Sequence, residues 1–165
     1  MNSFKKIRQL QKSDSAEALR IFKAAYKNMD VPKSELAQFQ ADLDAAFDNK
    51  HINRIVFFAL CDDDGVICAF AGIEPHGFMR GSWALRWGTT HPDHQKKGLM
   101  SALTDHRINY AFDKTSDIPG MIHICSRRPG LYLKKGFKRI YTRGPTNKAC
   151  YLVKYFNESY RDQDI

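Results

Sequence analysis

The chain has 165 residues, a formal net charge of +8, 43% hydrophobic residues and 27% charged ones. That length can bury a core without metal or disulfide staples and suits a single domain over residues 1–165, and the composition excludes a fibrous or disordered chain. No apolar run approaches the roughly 20 residues that cross a bilayer. The opening MNSFKKIRQLQKSDS also lacks the apolar centre of a secretory signal, so no membrane partner and a cytoplasmic location are expected.

FKKIRQLQ, with Phe4, Ile7 and Leu10 in imperfect alternation, predicts a first strand. Ser13 and Asp14 offer N-caps, Glu17 completes a capping box with Asp14, and Ala18, Ile21, Phe22 and Ala25 follow at helical spacing. A second helix is predicted behind Pro32, with Leu36, Phe39, Leu43 and Phe47 on one face. The period then changes. Residues 55–61 and 66–73 are β-rich runs, and Asp64-Gly65 between them is a hairpin signal. SWALRWGTT forms a third run that ends at Thr90, with Trp83, Leu85 and Trp87 on one face. From just after Gly98, Leu99, Ala102, Leu103, His106 and Tyr110 repeat at helical spacing. GMIHICS reads as a short strand, Pro129 opens a short helix ending at Gly136, and FKRIYTR and ACYLVKYF form an antiparallel pair. The order β-α-α-β-β-β-α-β-α-β-β predicts an α/β fold of the α+β type. Its mixed, mostly antiparallel sheet has about six or seven strands, with helices on both faces.

Cys61, Cys68, Cys125 and Cys150 are widely spaced in apolar runs without a CxxC pair, which predicts reduced structural thiols. His91 and His94 form an HxxH in a predicted turn with no third ligand nearby, so no metal site is expected. The basic balance suits an anionic partner, either nucleic acid or a phosphate-rich cosubstrate, and equally suits simple solubility. The cations are scattered, so charge alone names no partner.

THPDHQKKGLM, residues 90–100, carries more information. A helix N-terminus exposes unpaired N–H groups and the positive end of its dipole, and a glycine there gives an anion room to approach. Gln95-Lys96-Lys97-Gly98-Leu99-Met100 meets those needs and adds two cations.

With Thr90-His91-Pro92 and Gln95-x-x-Gly98-x-Met100, the chain resembles the GNAT superfamily of acyl-CoA-dependent N-acyltransferases. In that superfamily a strand ending in V-H-P leads through [RQ]-x-x-G-x-[GA] into a helix. A second family element, L-Y-x-K-x-G-F, is matched in full by Leu131-Tyr132-Leu133-Lys134-Lys135-Gly136-Phe137, and the hairpin DGVICAFAG is a weaker third match. The resemblance covers nearly the whole chain. It implies acetyl-CoA as cosubstrate, no metal, and direct transfer of the acetyl group to a primary amine of a small molecule or protein. It implies a sheet that splays so that the pantetheine arm pairs with the strand ending at Thr89 and Thr90. The backbone amides of Gln95, Lys96, Lys97, Gly98, Leu99, Met100 and Ser101 would hold the pyrophosphate, with Lys96 and Lys97 either near the 3′-phosphate or solvated. Tyr132 would protonate the departing thiolate. Glu74 is the first candidate for the base that deprotonates the amine, with His76, His123 or a water relay as alternatives. Met100 stands where Gly or Ala is usual, Thr90 replaces an apolar residue, and the asparagine common after the next strand is absent from residues 126–130. A CoA-binding module without turnover and an enzyme acting on aminoacyl-tRNA remain alternatives, and a homodimer is the default assembly. No motif names the acceptor.

Overall fold

The computed structural model describes residues 6–27, 32–48, 55–77, 79–115, 118–142 and 149–156. Their order is β1 (Lys6–Gln9), α1 (Ser15–Tyr26), α2 (Lys33–Ala46), β2 (Val56–Cys61), β3 (Ile67–Pro75), β4 (Ser82–Thr90), α3 (Leu99–Lys114), β5 (Gly120–Ser126), α4 (Gly130–Leu133), β6 (Lys138–Thr142) and β7 (Cys150–Phe156). The seven strands are ordered β1-β2-β3-β4-β5-β7-β6. β4 and β5 run parallel, and the β1–β2, β2–β3, β5–β7 and β6–β7 pairs are antiparallel. This is the mixed, mostly antiparallel α/β fold expected from the element order. By its contacts the chain divides into two compact units, Met1–Glu74 with Arg86–Arg107, and Pro75–Leu85 with Ile108–Ile165.

In the first unit, β2 and the 67–73 part of β3 are buried almost throughout, so they read as continuous apolar runs rather than alternating ones. Successive side chains of β2 face opposite ways. Phe57 meets Phe39 of α2 at 6.2 Å, whereas Phe58 meets His106 of α3 edge-on at 4.5 Å. α1 buries Ala18, Ile21 and Phe22, and α2 buries Phe39 and Leu43. The Asp64-Gly65 turn forms as predicted. Gly65 takes φ +84°, and Asp62 Oδ1 accepts from the Asp64 and Val66 amides at 3.1 and 2.9 Å.

Two local expectations are corrected. Asp14 does not cap α1 with its side chain. Its carboxylate turns back to the Arg8 fork (2.6 and 3.0 Å) and the Gln11 amide (2.8 Å), and Glu17 pairs with Arg20. A charged two-point partner outcompetes a single amide, and it holds the Asp14 carboxyl below its ordinary range. The buried stripe of α3 is also turned from the expected one. Leu99, Leu103, Thr104, Arg107 and Ala111 are buried, while Ala102 is exposed.

Burial pushes the His106 imidazole below its ordinary value. The fold therefore disfavours the charged form. This contribution to stability is fully present above the unfolded value of ~6.5. It is lost as pH falls through the lower folded value. Melts at about pH 7.5 and about pH 5.5 should show the wild-type Tm falling more than that of His106→Leu, whose side chain does not titrate.

In the second unit, β4 and β5 pair at Ser82↔Met121, Trp83↔Ile122 and Ala84↔His123, and β5 pairs with β7 along its whole length. Trp83 rests edge-on against Tyr110 at 5.9 Å and donates its indole N–H to Thr115 Oγ1 at 2.8 Å. α4 ends as its glycine predicts. The Phe137 amide bonds Tyr132 C=O and the Gly136 amide bonds Leu133 C=O, with Gly136 at φ +82°, which is a Schellman closure. Gly81, at φ +83°, is required on two counts, because an added Cβ would lie 2.8 Å from the Pro119 carbonyl oxygen. Cys61, Cys68 and Cys150 are buried thiols, but Cys125 is exposed on β5, since neighbouring Ile122 and Ile124 take the buried face.

Candidate active site

At the end of β4 the chain makes a tight strand-to-helix turn. The His91 amide bonds Cys68 C=O at 2.9 Å, Pro92 starts a single 3-10 turn, and His91 Nδ1 accepts from the Asp93 amide at 3.3 Å. Lys96 (φ +62°) and Gly98 (φ +77°) are then both left-handed, which swings the backbone into α3. An added Cβ on Gly98 would touch nothing within 4 Å. The glycine is thus demanded by backbone conformation, and the space above it is open.

The first bond of α3 runs from the Ala102 amide to Gly98 C=O at 3.1 Å. By α-helix geometry the amides of Gly98, Leu99, Met100 and Ser101 therefore have no acceptor within the helix. The Gln95 amide, by contrast, already donates to Pro92 C=O at 3.3 Å. Leu99 is buried and anchors the start of the helix, while the side chains of Lys96 and Lys97 are exposed beside it. Thr89 is buried and bonds Trp87 C=O through its hydroxyl at 3.3 Å, and Thr90 is half-buried. Met100 has a definite place. Its sulfur lies 3.0 Å from where a Cβ on Gly88 would stand, so its side chain fills the gap over that glycine of β4.

Glu74 sits in an ionic cluster that sequence reasoning missed. Arg86 of β4 donates from one nitrogen to Glu74 Oε2 and from the other to Asp42 Oδ2 of α2, each at 2.9 Å. The Trp87 indole N–H also donates to Asp42 Oδ2, at 2.6 Å. Trp87 reaches it because its φ is +52° inside a strand, a left-handed residue that breaks the regular alternation of β4. The expected face shared by Trp83, Leu85 and Trp87 is thereby broken. Trp83 packs on Tyr110, and Trp87 packs on Phe22 and Phe39. The one signal for this cluster was Arg86, the only charged residue of β4.

In the second unit the rings of His76 and His123 lie 5.9 Å apart and line a cavity of about 340 Å³ with Met79, Met121 and Tyr141. Tyr132 is 6% exposed on α4, its ring edge-on to Phe137 at 5.6 Å. Among the described residues no group of three or more His, Cys, Asp or Glu is placed to hold a metal ion, and no helix is long and apolar enough to cross a membrane.

A strand that hands the chain to an amide-lined turn, within this mixed sheet, is a ready-made site for an anion. The model of the acetyltransferase (GNAT) family matches residues 17–142, and the chain belongs to that family. No curated protein matches the chain in sequence. Among solved structures it is similar to the GNAT family N-acetyltransferase YhbS of Escherichia coli in complex with CoA, with a TM-score of 0.68 and 13% identity over 91% of this chain and 80% of that one. It is similar also to a GNAT family acetyltransferase of Brucella melitensis in complex with acetyl-CoA, with a TM-score of 0.66 and 16% identity over 92% and 88%. A third is the ribosomal-protein-S18-alanine N-acetyltransferase of Escherichia coli, with a TM-score of 0.63 and 20% identity over 94% and 93%.

Proposed function

We propose that this chain is an N-acetyltransferase, moving the acetyl group of acetyl-CoA directly to a primary amine of a small-molecule or protein acceptor. The observation that carries the reading is the turn at 95–101: four helix-start amides, two exposed lysines and open space above a left-handed Gly98. That arrangement fits a diphosphate, and the bound CoA and acetyl-CoA of the Escherichia coli and Brucella melitensis structures support it.

Each residue has a defined task. The amides of Gly98, Leu99, Met100 and Ser101 bind the pyrophosphate, with Lys96 and Lys97 adding charge. The end of β4 at Thr89 and Thr90 offers backbone for the pantetheine arm. Bond formation joins the acceptor nitrogen to the acetyl carbon, and the carbon–sulfur bond breaks. Tyr132 gives its hydroxyl proton to the departing sulfur, and the proton lost by the amine passes to Glu74, directly or through water. His76 and His123 are the alternative acceptors of that proton.

Calorimetry with acetyl-CoA, followed by thiol release over a panel of amines, tests the function. Binding without turnover on any amine supports a CoA-binding module instead. Gly98→Glu tests the cradle. A side chain strained at φ +77° and a carboxylate beside the same amides should weaken acetyl-CoA binding by about tenfold or more. Unchanged affinity in a folded variant removes the cradle from the mechanism.

A further inference from the structure

α3 carries a cation where an apolar residue would fill the space. Arg107 is 0% exposed. Its Nε donates to Leu103 C=O at 3.2 Å, one terminal nitrogen to Gly72 C=O at 2.9 Å and Arg86 C=O at 3.4 Å, and the other to Thr104 Oγ1 at 3.2 Å. The buried Thr104 hydroxyl in turn donates to Met100 C=O at 2.7 Å.

Burying a guanidinium is unfavourable, and a well-packed apolar residue of similar volume often serves stability as well or better. The reason for a cation must therefore be sought in what it bonds. Two of its acceptors are strand carbonyls, Gly72 on β3 and Arg86 on β4. Arg86 immediately precedes Trp87, whose left-handed φ of +52° interrupts the regular strand conformation of β4. Through Thr104 the same guanidinium reaches the first turn of α3, where Met100 supplies one of the four unpaired amides. One buried side chain thus ties β4, just before its left-handed Trp87, to the helix start.

We propose that Arg107 is a positioning residue for acetyl transfer, fixing β4 beside Trp87 against the first turn of α3 so that both grip acetyl-CoA in one geometry. The proposal rests on the N-acetyltransferase reading above. Misplacing a bound reactant by about 1 Å can cost about a hundredfold in rate, so the effect belongs in turnover more than in folding.

Three variants test it, each measured by thermal melt, by calorimetry with acetyl-CoA and with CoA, and by kcat and KM on the best amine of the panel. Arg107→Met keeps the volume and removes the donors. It should lower kcat by about 10- to 100-fold while CoA affinity changes less than about threefold. Arg107→Lys, which restores one donor point, should recover part of that loss. Thr104→Val keeps the shape but removes the acceptor of one guanidinium nitrogen and the link to Met100, and should raise KM for acetyl-CoA while lowering Tm by a few degrees. Folded Arg107 variants with wild-type kcat and KM overturn the proposal. If Arg107→Met does not fold, Thr104→Val decides, and wild-type constants in that variant overturn it equally. A wild-type protein that binds no acetyl-CoA refutes the underlying reading, whereas an active wild type with unaffected variants refutes only the role of Arg107.

Discussion

Tyr132→Phe should cut turnover by about 10²- to 10⁴-fold, the usual worth of a positioned general acid, while acetyl-CoA affinity stays near that of the wild type. The ring itself has structural work that phenylalanine can do. It is buried, meets Phe137 edge-on, and its backbone closes the Schellman turn of α4. Removing one hydroxyl costs on the order of 1 kcal/mol of stability, which a melt would show as a modest shift. A large loss of kcat in a folded, acetyl-CoA-binding variant therefore reports proton transfer. The loss should also shrink with an acetyl thioester of a more acidic thiol, whose departing sulfur needs a proton less. Equal turnover by both proteins would leave Tyr132 as a packing residue.

Phe39→Ala carries the largest expected cost in stability, about 3–5 kcal/mol. Phe39 is 0% exposed and its ring meets four others: Phe22 stacked at 4.3 Å, Trp87 at 5.4 Å, Phe70 at 5.5 Å and Phe57 at 6.2 Å. These come from α1, β4, β3 and β2, so truncation opens a void where several elements converge, and no single neighbour can fill it. Unfolding in urea should show the midpoint falling at an unchanged slope, with Tm lower by roughly 10 °C or more. Val66→Ala, at a position 50% exposed, provides the surface comparison and should fall within about 0.5 kcal/mol of the wild type. If the two variants lose similar stability, the ring cluster does not hold the first unit together.

Both variants concern residues that the sequence singles out, Phe39 by helical period and Tyr132 by motif. Helices were readable where one period held for the whole element, as in α2, whose Phe39 and Leu43 are buried as their spacing implies. The turn at 95–101 was readable because its chemistry is local, with glycine, lysines and helix start adjacent in the chain. The Asp42–Arg86–Glu74 cluster was not, since its members come from a helix and two strands and only Arg86 stands out in its own element. Trp87 was misplaced because a period of two assumes a regular strand, and nothing in the residue type announces a left-handed tryptophan. Arg107 escaped because hydrophobic periodicity assigns charged residues to water, whereas two of its carbonyl acceptors lie on strands far away in the sequence.

The contact of Met100 with the space over Gly88 bears on how this loop can vary. Methionine at position 100 departs from the small residue usual there, and glycine at position 88 leaves room on the strand for it. The two sites are complementary in volume, so each sets the range of substitutions open to the other. A Cβ gained at position 88 would stand 3.0 Å from the sulfur, so the flexible methionine would have to give by a few tenths of an ångström. A departure that looked like an isolated irregularity thus has a neighbour on the strand whose shape it matches.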